Sequence, residues 1–227
     1  MKLSCLPVSF FPEFREKRID IPRWMDLGAE IGLEGIDISS MFLENHTPVY
    51  LNQLKTEMQS RRIAVVMMAT YPDFSAPDSL QRERELDYLR RDIAVASFLG
   101  IRYVRIVAGQ RHPETSLEPG KRWVIESFKR AAETADRYGV QLVYENHSKP
   151  GAWQHWDFSQ PTEVFLDIVA AIRSTSIRVN FDTANPLVYG DDPLSLLSQI
   201  VDLVETVHAA DTAVRGNLQP VLLGQGL

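Results

Sequence analysis

The stretch Val140-Gln-Leu-Val-Tyr-Glu-Asn-His147 is an apolar run of strand length that ends in a carboxylate, an amide and an imidazole. Two later runs end the same way. Ile177-Arg-Val-Asn-Phe-Asp-Thr-Ala-Asn185 delivers Asp182, and Val204-Glu-Thr-Val-His-Ala-Ala-Asp211 delivers His208 and Asp211. In a (β/α) barrel the loops at the C-terminal ends of the strands converge on the barrel axis, and active sites gather there. Glu145, Asp182 and His208 are therefore candidates for one metal site. Two hard oxygen donors and one imidazole nitrogen suit a divalent ion (Mn2+, Mg2+, Co2+ or Zn2+), with a lean towards the harder ions. The competing reading makes the carboxylates helix caps or ion-paired residues of the barrel mouth, and His208 a hydrogen-bonded core histidine.

Outward from these runs, strand and helix patterns alternate along the whole chain. Strands are expected near residues 2–9, 35–39, 63–69 and 102–107, ahead of the three runs already quoted. Helical spacing of apolar residues covers 21–31, a segment opening at Thr47-Pro48, 79–99, 121–138 and 161–172, and a segment from Asp192-Pro193 to about 201. Asp20 with Pro22, and Thr47 with Pro48, read as caps followed by a proline in the first turn; Gly100 and Gly139 read as helix ends. Such alternation is the pattern of parallel βα units in an α/β protein. Seven strands and six helices, with no linker or composition shift, predict one domain over residues 1–227. The expected architecture is a (β/α)8 TIM barrel lacking the last helix and the eighth strand. The edges left open at the first and seventh strands would invite homo-oligomers or aggregation.

The composition is 44% hydrophobic and 24% charged, that of an ordinary globular protein. A formal charge of −6 argues against a nucleic-acid groove, which needs clustered Lys and Arg to replace counterions. No apolar run approaches the roughly 20 residues that a membrane span requires. Cys5 is the only cysteine, so no internal disulfide forms and a cytoplasmic location is expected. No Walker-type phosphate cradle is present, so no nucleotide is expected.

Four blocks carry a family resemblance: Glu145-Asn-His-Ser-Lys-Pro-Gly-Ala-Trp153, Asn180-Phe-Asp-Thr-Ala-Asn-Pro186, Val207-His-Ala-Ala-Asp211 and Leu223-Gly-Gln-Gly226. They resemble successive blocks of the sugar phosphate isomerase/epimerase family, within the xylose isomerase-like TIM barrel superfamily. The resemblance runs through the whole chain in strand order and is strongest from Glu145 onward. It implies a metal-dependent isomerase or epimerase of a small-molecule carbohydrate. Its divalent ion would be held by Glu145, Asp182, His208 and a second glutamate that nothing in this sequence matches; that residue is expected past Leu227. The implied reaction removes a proton next to a carbonyl and passes through an enediolate, with Glu145 acting as both ligand and acid/base.

Substrate contacts are expected from His147 and Lys149, just beyond the first ligand. Trp153, with His155 and Trp156, would offer an apolar wall to a sugar face. Arg215 stands where relatives often present an arginine to the substrate, and Asn185 where several place a histidine. A dehydratase or lyase acting on a cyclic polyol or keto acid would share the metal site and the first proton abstraction. A non-catalytic sugar-binding relative is the alternative from another class. An AP endonuclease would need more metal-binding histidines than the five here, and the acidic charge also argues against it.

Overall fold

The computed structural model describes residues 2–149 and 151–227; Pro150, inside the block that follows Glu145, lies outside them. In chain order the elements are α1 (Phe11–Arg15), α2 (Ile21–Glu30), β1 (Gly35–Ser39), α3 (Pro48–Gln59), β2 (Ala64–Ala69), α4 (Ser79–Leu99) and β3 (Tyr103–Ile106). They continue with α5 (Leu117–Tyr138), β4 (Gln141–Glu145), α6 (Thr162–Ile172), β5 (Arg178–Asp182), α7 (Asn185–Tyr189), α8 (Pro193–Ile200) and β6 (Val204–His208). The local signals act as expected. Asp20 accepts from Arg23 N at 2.8 Å and caps α2, and Thr47 caps α3 through Tyr50 N. Gly100 and Gly139 close α4 and α5 in the left-handed conformation, with φ of 79° and 66°.

All six strands are parallel and lie in sequence order, β1-β2-β3-β4-β5-β6, each pair joined by a helical crossover. The sheet curls into a partial barrel. Across its concave side Tyr103 OH on β3 donates to Glu205 Oε1 on β6 at 2.8 Å. Successive residues on a strand face opposite sides, and here each side has its own core. Ile36, Ile38, Met68, Val104, Ile106, Leu142, Tyr144 and Phe181 pack outward against the helices, among Trp24, Leu89, Phe128 and Phe165. Met67, Tyr103 and Val143 form a smaller cluster on the inner side. Above that cluster, towards the C-terminal ends of the strands, the inner side turns polar with Arg105, Glu145, Asp182 and His208. The register places Asp182 opposite His208, so β5 and β6 end level, and Glu145 opposite Asn180, two residues before the end of β5.

The segment 2–9 is not a strand, so the sheet has six strands where the sequence predicts seven. It runs extended beside β1: Leu3 O accepts from Gly35 N at 3.2 Å, and Cys5 O from Asp37 N at 2.9 Å. Reciprocal bonds back to β1 are not made. Pro7 has no N–H to continue a ladder, and the chain coils at once into a 3-10 turn, Val8–Phe10, and then α1. No helix among the described residues is long and apolar enough to cross a membrane.

Candidate active site

Glu145 is the last residue of β4, Asp182 the last of β5 and His208 the last of β6. One ligand atom from each lies within 4.8 Å of the other two. His208 Nδ1 is 3.0 Å from Glu145 Oε1. Asp182 Oδ1 accepts from Ala184 N and Asn185 N, both at 2.8 Å, and so caps α7. Its Oδ2 has no protein donor among the described residues. Asn146 locks the two strand ends together: its Nδ2 donates to Asp182 O at 2.9 Å, and Asp182 N donates to its Oδ1 at 2.8 Å.

Sequence reasoning missed one member of this group. Arg105, on the inner side of β3, places Nε 2.8 Å from Glu145 Oε2. Its Nη1 donates to Thr70 O at 2.9 Å, and its guanidinium lies 4.4 Å from the centre of the Tyr71 ring. The available signal was a charge inside an apolar strand, Ile101-Arg-Tyr-Val-Arg-Ile-Val107. Such a residue is almost never fully buried unless paired.

The electrostatics follow from this packing. Burial resists the charge on Glu145 most strongly, yet Arg105 and then His208 outweigh it and hold the carboxyl well below the usual carboxylate range. Burial also resists charge on His208, but Glu145, by charge and by hydrogen bond, raises the imidazole above its ordinary value. Asp182 is pushed up to about 7 by burial and by the neighbouring Glu145 charge. Burial lowers His147 to about 4 despite Glu145, which favours its charged form.

A cavity of about 920 Å3 opens over the group. His147, Lys149, Trp153 and Asn185 line it, together with Tyr71, Arg105 and the three candidate ligands. Arg215 does not join them. It is exposed, and its Nη1 is bound to the carbonyls of Gly190 and Asp191 at 3.2 and 2.9 Å, where it ties the loop after β6 to the end of α7. Trp156 is 38% exposed, and the His155 ring packs edge-on against His112, away from the lining. His112 itself pairs with Asp73 at 2.8 Å. Asp211 serves its own turn, accepting from Gly224 N at 3.0 Å and Gly226 N at 2.9 Å.

The donor set fits a divalent ion. Asp182 Oδ2 has no protein donor among the described residues, which leaves it for such an ion. The 3.0 Å between His208 Nδ1 and Glu145 Oε1 is also near the separation, roughly 3.0–3.4 Å, of adjacent ligands around an ion with bonds of about 2.1 Å.

The sequence matches the family model described as xylose isomerase-like TIM barrel over residues 25–227. No match was found among curated proteins. Solved structures share the fold. The IOLI protein, determined with a bound zinc atom, is 19% identical, with a TM-score of 0.81 over 100% of this chain and 80% of that one. The probable 3-DHS dehydratase AsbF from Bacillus anthracis, involved in petrobactin synthesis, is 16% identical, with a TM-score of 0.78 over 100% of this chain and 85% of that one. The 3-keto-D-glucoside 4-epimerase YcjR from E. coli is 18% identical, with a TM-score of 0.74 over 93% of this chain and 79% of that one.

Proposed function

From the premise that the chain belongs to the xylose isomerase-like TIM barrel family, we propose that it is a divalent-metal-dependent isomerase or epimerase of a small carbohydrate, acting in the cytoplasm. The observation that carries this reading is the convergence of Glu145, Asp182 and His208 from three successive strands onto one point beneath the cavity. A divalent ion held there would neutralise charge developing on the substrate's carbonyl and neighbouring hydroxyl oxygens, which makes the adjacent C–H acidic enough for a carboxylate to take its proton.

Glu145 is the proposed acid/base. Arg105 and His208 keep it ionised, the state that a ligand and a base both need. The same two groups lower its proton affinity, so proton abstraction depends strongly on acidity supplied at the carbon. His147, Lys149 and Trp153 line the cavity; the first two would meet hydroxyl or carbonyl oxygens, and Trp153 would pack on a ring face. Arg215 would reach a substrate only by releasing the carbonyls of Gly190 and Asp191.

A dehydratase or lyase acting on a cyclic polyol or keto acid is the second reading: it would use the same metal site and the same first proton abstraction, and the fold shared with the probable 3-DHS dehydratase AsbF supports it. The deciding experiment loads the protein with Mn2+, Zn2+, Co2+ or Mg2+ and follows aldoses, ketoses and hydroxylated keto acids by NMR in D2O. Isomerisation or epimerisation incorporates solvent deuterium at the carbon next to the carbonyl, whereas dehydration yields an unsaturated product. The Glu145→Gln variant should lose turnover at least 100-fold; unchanged turnover would remove Glu145 from the chemistry.

A further inference from the structure

A second buried acid stands behind the cavity wall. Asp157, in the loop after β4, has no exposed surface, and among the described residues no Lys or Arg pairs with it. Its Oδ1 accepts from Ser159 N and Ser159 Oγ, both at 2.7 Å. Its Oδ2 is buried without a hydrogen-bond partner and faces His147 Nδ1 at 3.9 Å; that nitrogen is likewise buried and unpartnered. The loop is well anchored. Asp157 N donates to Ser148 O at 2.6 Å, and Phe158 N to Gly109 O at 2.7 Å. Gly109 has a φ of 125°, and a Cβ there would collide with Ser75 and Asp73, so the loop after β3 lies this close to the loop after β2 only because this residue is glycine.

Neighbouring groups do not neutralise Asp157. Ser159 and the Tyr144 hydroxyl are uncharged, and Arg105 is committed to Glu145. A lone carboxylate in such a place is strongly disfavoured, and burial normally keeps the proton on the group. With Oδ1 occupied by two donors, the proton belongs on Oδ2. The acceptor it faces is His147 Nδ1, and a small turn of the imidazole closes 3.9 Å to hydrogen-bond length, since neither atom has a competing partner.

We infer that Asp157 is a positioning residue: its neutral carboxyl donates through Oδ2 to His147 Nδ1, which fixes the imidazole as the Nε2–H tautomer and turns that N–H towards the cavity. His147 lines the cavity beside Glu145 and is braced edge-on by Tyr71 and Trp153, with ring centres at 6.4 and 6.1 Å. A neutral imidazole N–H held in this way is a fixed hydrogen-bond donor for a substrate oxygen that gains negative charge. That use rests on the reading proposed above. The tautomer does not.

The test is two-bond 1H–15N NMR on the full chain labelled with 15N-histidine, without metal or substrate. The His147 signals are assigned by their loss in His147→Gln. The expected spectrum has a protonated nitrogen at Nε2 and an unprotonated one at Nδ1. Asp157→Asn keeps an oxygen for Ser159 and offers an amide N–H in place of the carboxyl O–H, so the tautomer should persist. Asp157→Ala removes the donor and should leave a tautomer mixture. A wild-type Nδ1–H tautomer, a switch in Asp157→Asn, or an unmoved tautomer in a folded Asp157→Ala would each overturn the inference. If the tautomer is found but no metal-dependent turnover is, the fault lies with the proposed reaction and not with the Asp157–His147 pair.

Discussion

Arg105 Nε lies 2.8 Å from Glu145 Oε2, and the two side chains are only 2% and 3% exposed. The pair joins the inner side of β3 to the end of β4, and its other neighbour, His208, carries the contact on to β6. An ion pair this deep is expensive to form and more expensive to break, because removing one partner strands the other charge away from water.

Arg105→Ala should therefore destabilise the fold by about 3–5 kcal/mol, measured by urea unfolding. Adding Glu145→Gln to it removes the stranded carboxylate, so the double variant should be less destabilised than the sum of the single changes. A loss under about 1 kcal/mol for Arg105→Ala would show that His208 alone compensates Glu145.

The three candidate ligands were legible in the sequence because each ends an apolar run, and in a parallel barrel such ends share one face. Arg105 was not, since it sits within its strand rather than at its end, and only the curl of the sheet shows that its inner side meets Glu145. Asp157 was hidden for a different reason. It lies in a loop 12 residues past Glu145, and no periodicity says where a loop side chain points. The first strand was over-read from its apolar residues; Pro7 decides the matter by withholding an N–H. The short helices α1 and α7 are too brief for apolar spacing to reveal, and α7 forms on the Asp182 cap. Arg215 was assigned from its position after β6, but the carbonyls of Gly190 and Asp191 hold it elsewhere.

Metal binding should depend on pH through Asp182, pushed up to about 7 by burial and Glu145. The metal-free fold retains a proton there that a bound ion must displace. Affinity for Mn2+ or Zn2+ should therefore fall by at least roughly tenfold for each pH unit below about 7, and more steeply where His208, raised by Glu145, must also give up a proton. Calorimetry in buffers of different ionisation enthalpy would count the released proton, and Asp182→Asn should abolish binding. A pH-independent affinity with no proton release would mean that Asp182 is ionised before the ion arrives.

Asp92, on α4, is a second acid raised by burial to about 7, against the opposing charge of Arg91. It lines the outer part of the cavity, 3.9 Å from His46 Nε2. A carboxyl whose folded value exceeds its unfolded one binds more protons when folded, so stability is lost as pH rises between about 4 and about 7. Asp92→Asn removes that loss. It should stabilise the protein near pH 8 by an amount on the order of 2–4 kcal/mol and change little near pH 4. Equal effects at both pH values would place the benefit in packing instead of charge.

The last expectation concerns the sheet edge. Among the described residues β6 pairs only with β5, so its other side offers unpaired backbone groups, and Val207 on it is 52% exposed. The opposite edge, β1, is partly covered, because Gly35 N and Asp37 N are already taken by Leu3 O and Cys5 O. A bare edge beside an exposed apolar side chain recruits another strand, and a lysine on such an edge suppresses pairing. The 227-residue chain should thus self-associate with rising concentration through β6, and Val207→Lys should shift the equilibrium towards monomer. Sedimentation velocity across a concentration series checks both. A wild-type chain that stays monomeric throughout would show that the edge is protected by its own twist and by the neighbouring loop after β6, and would remove the proposed homo-oligomer.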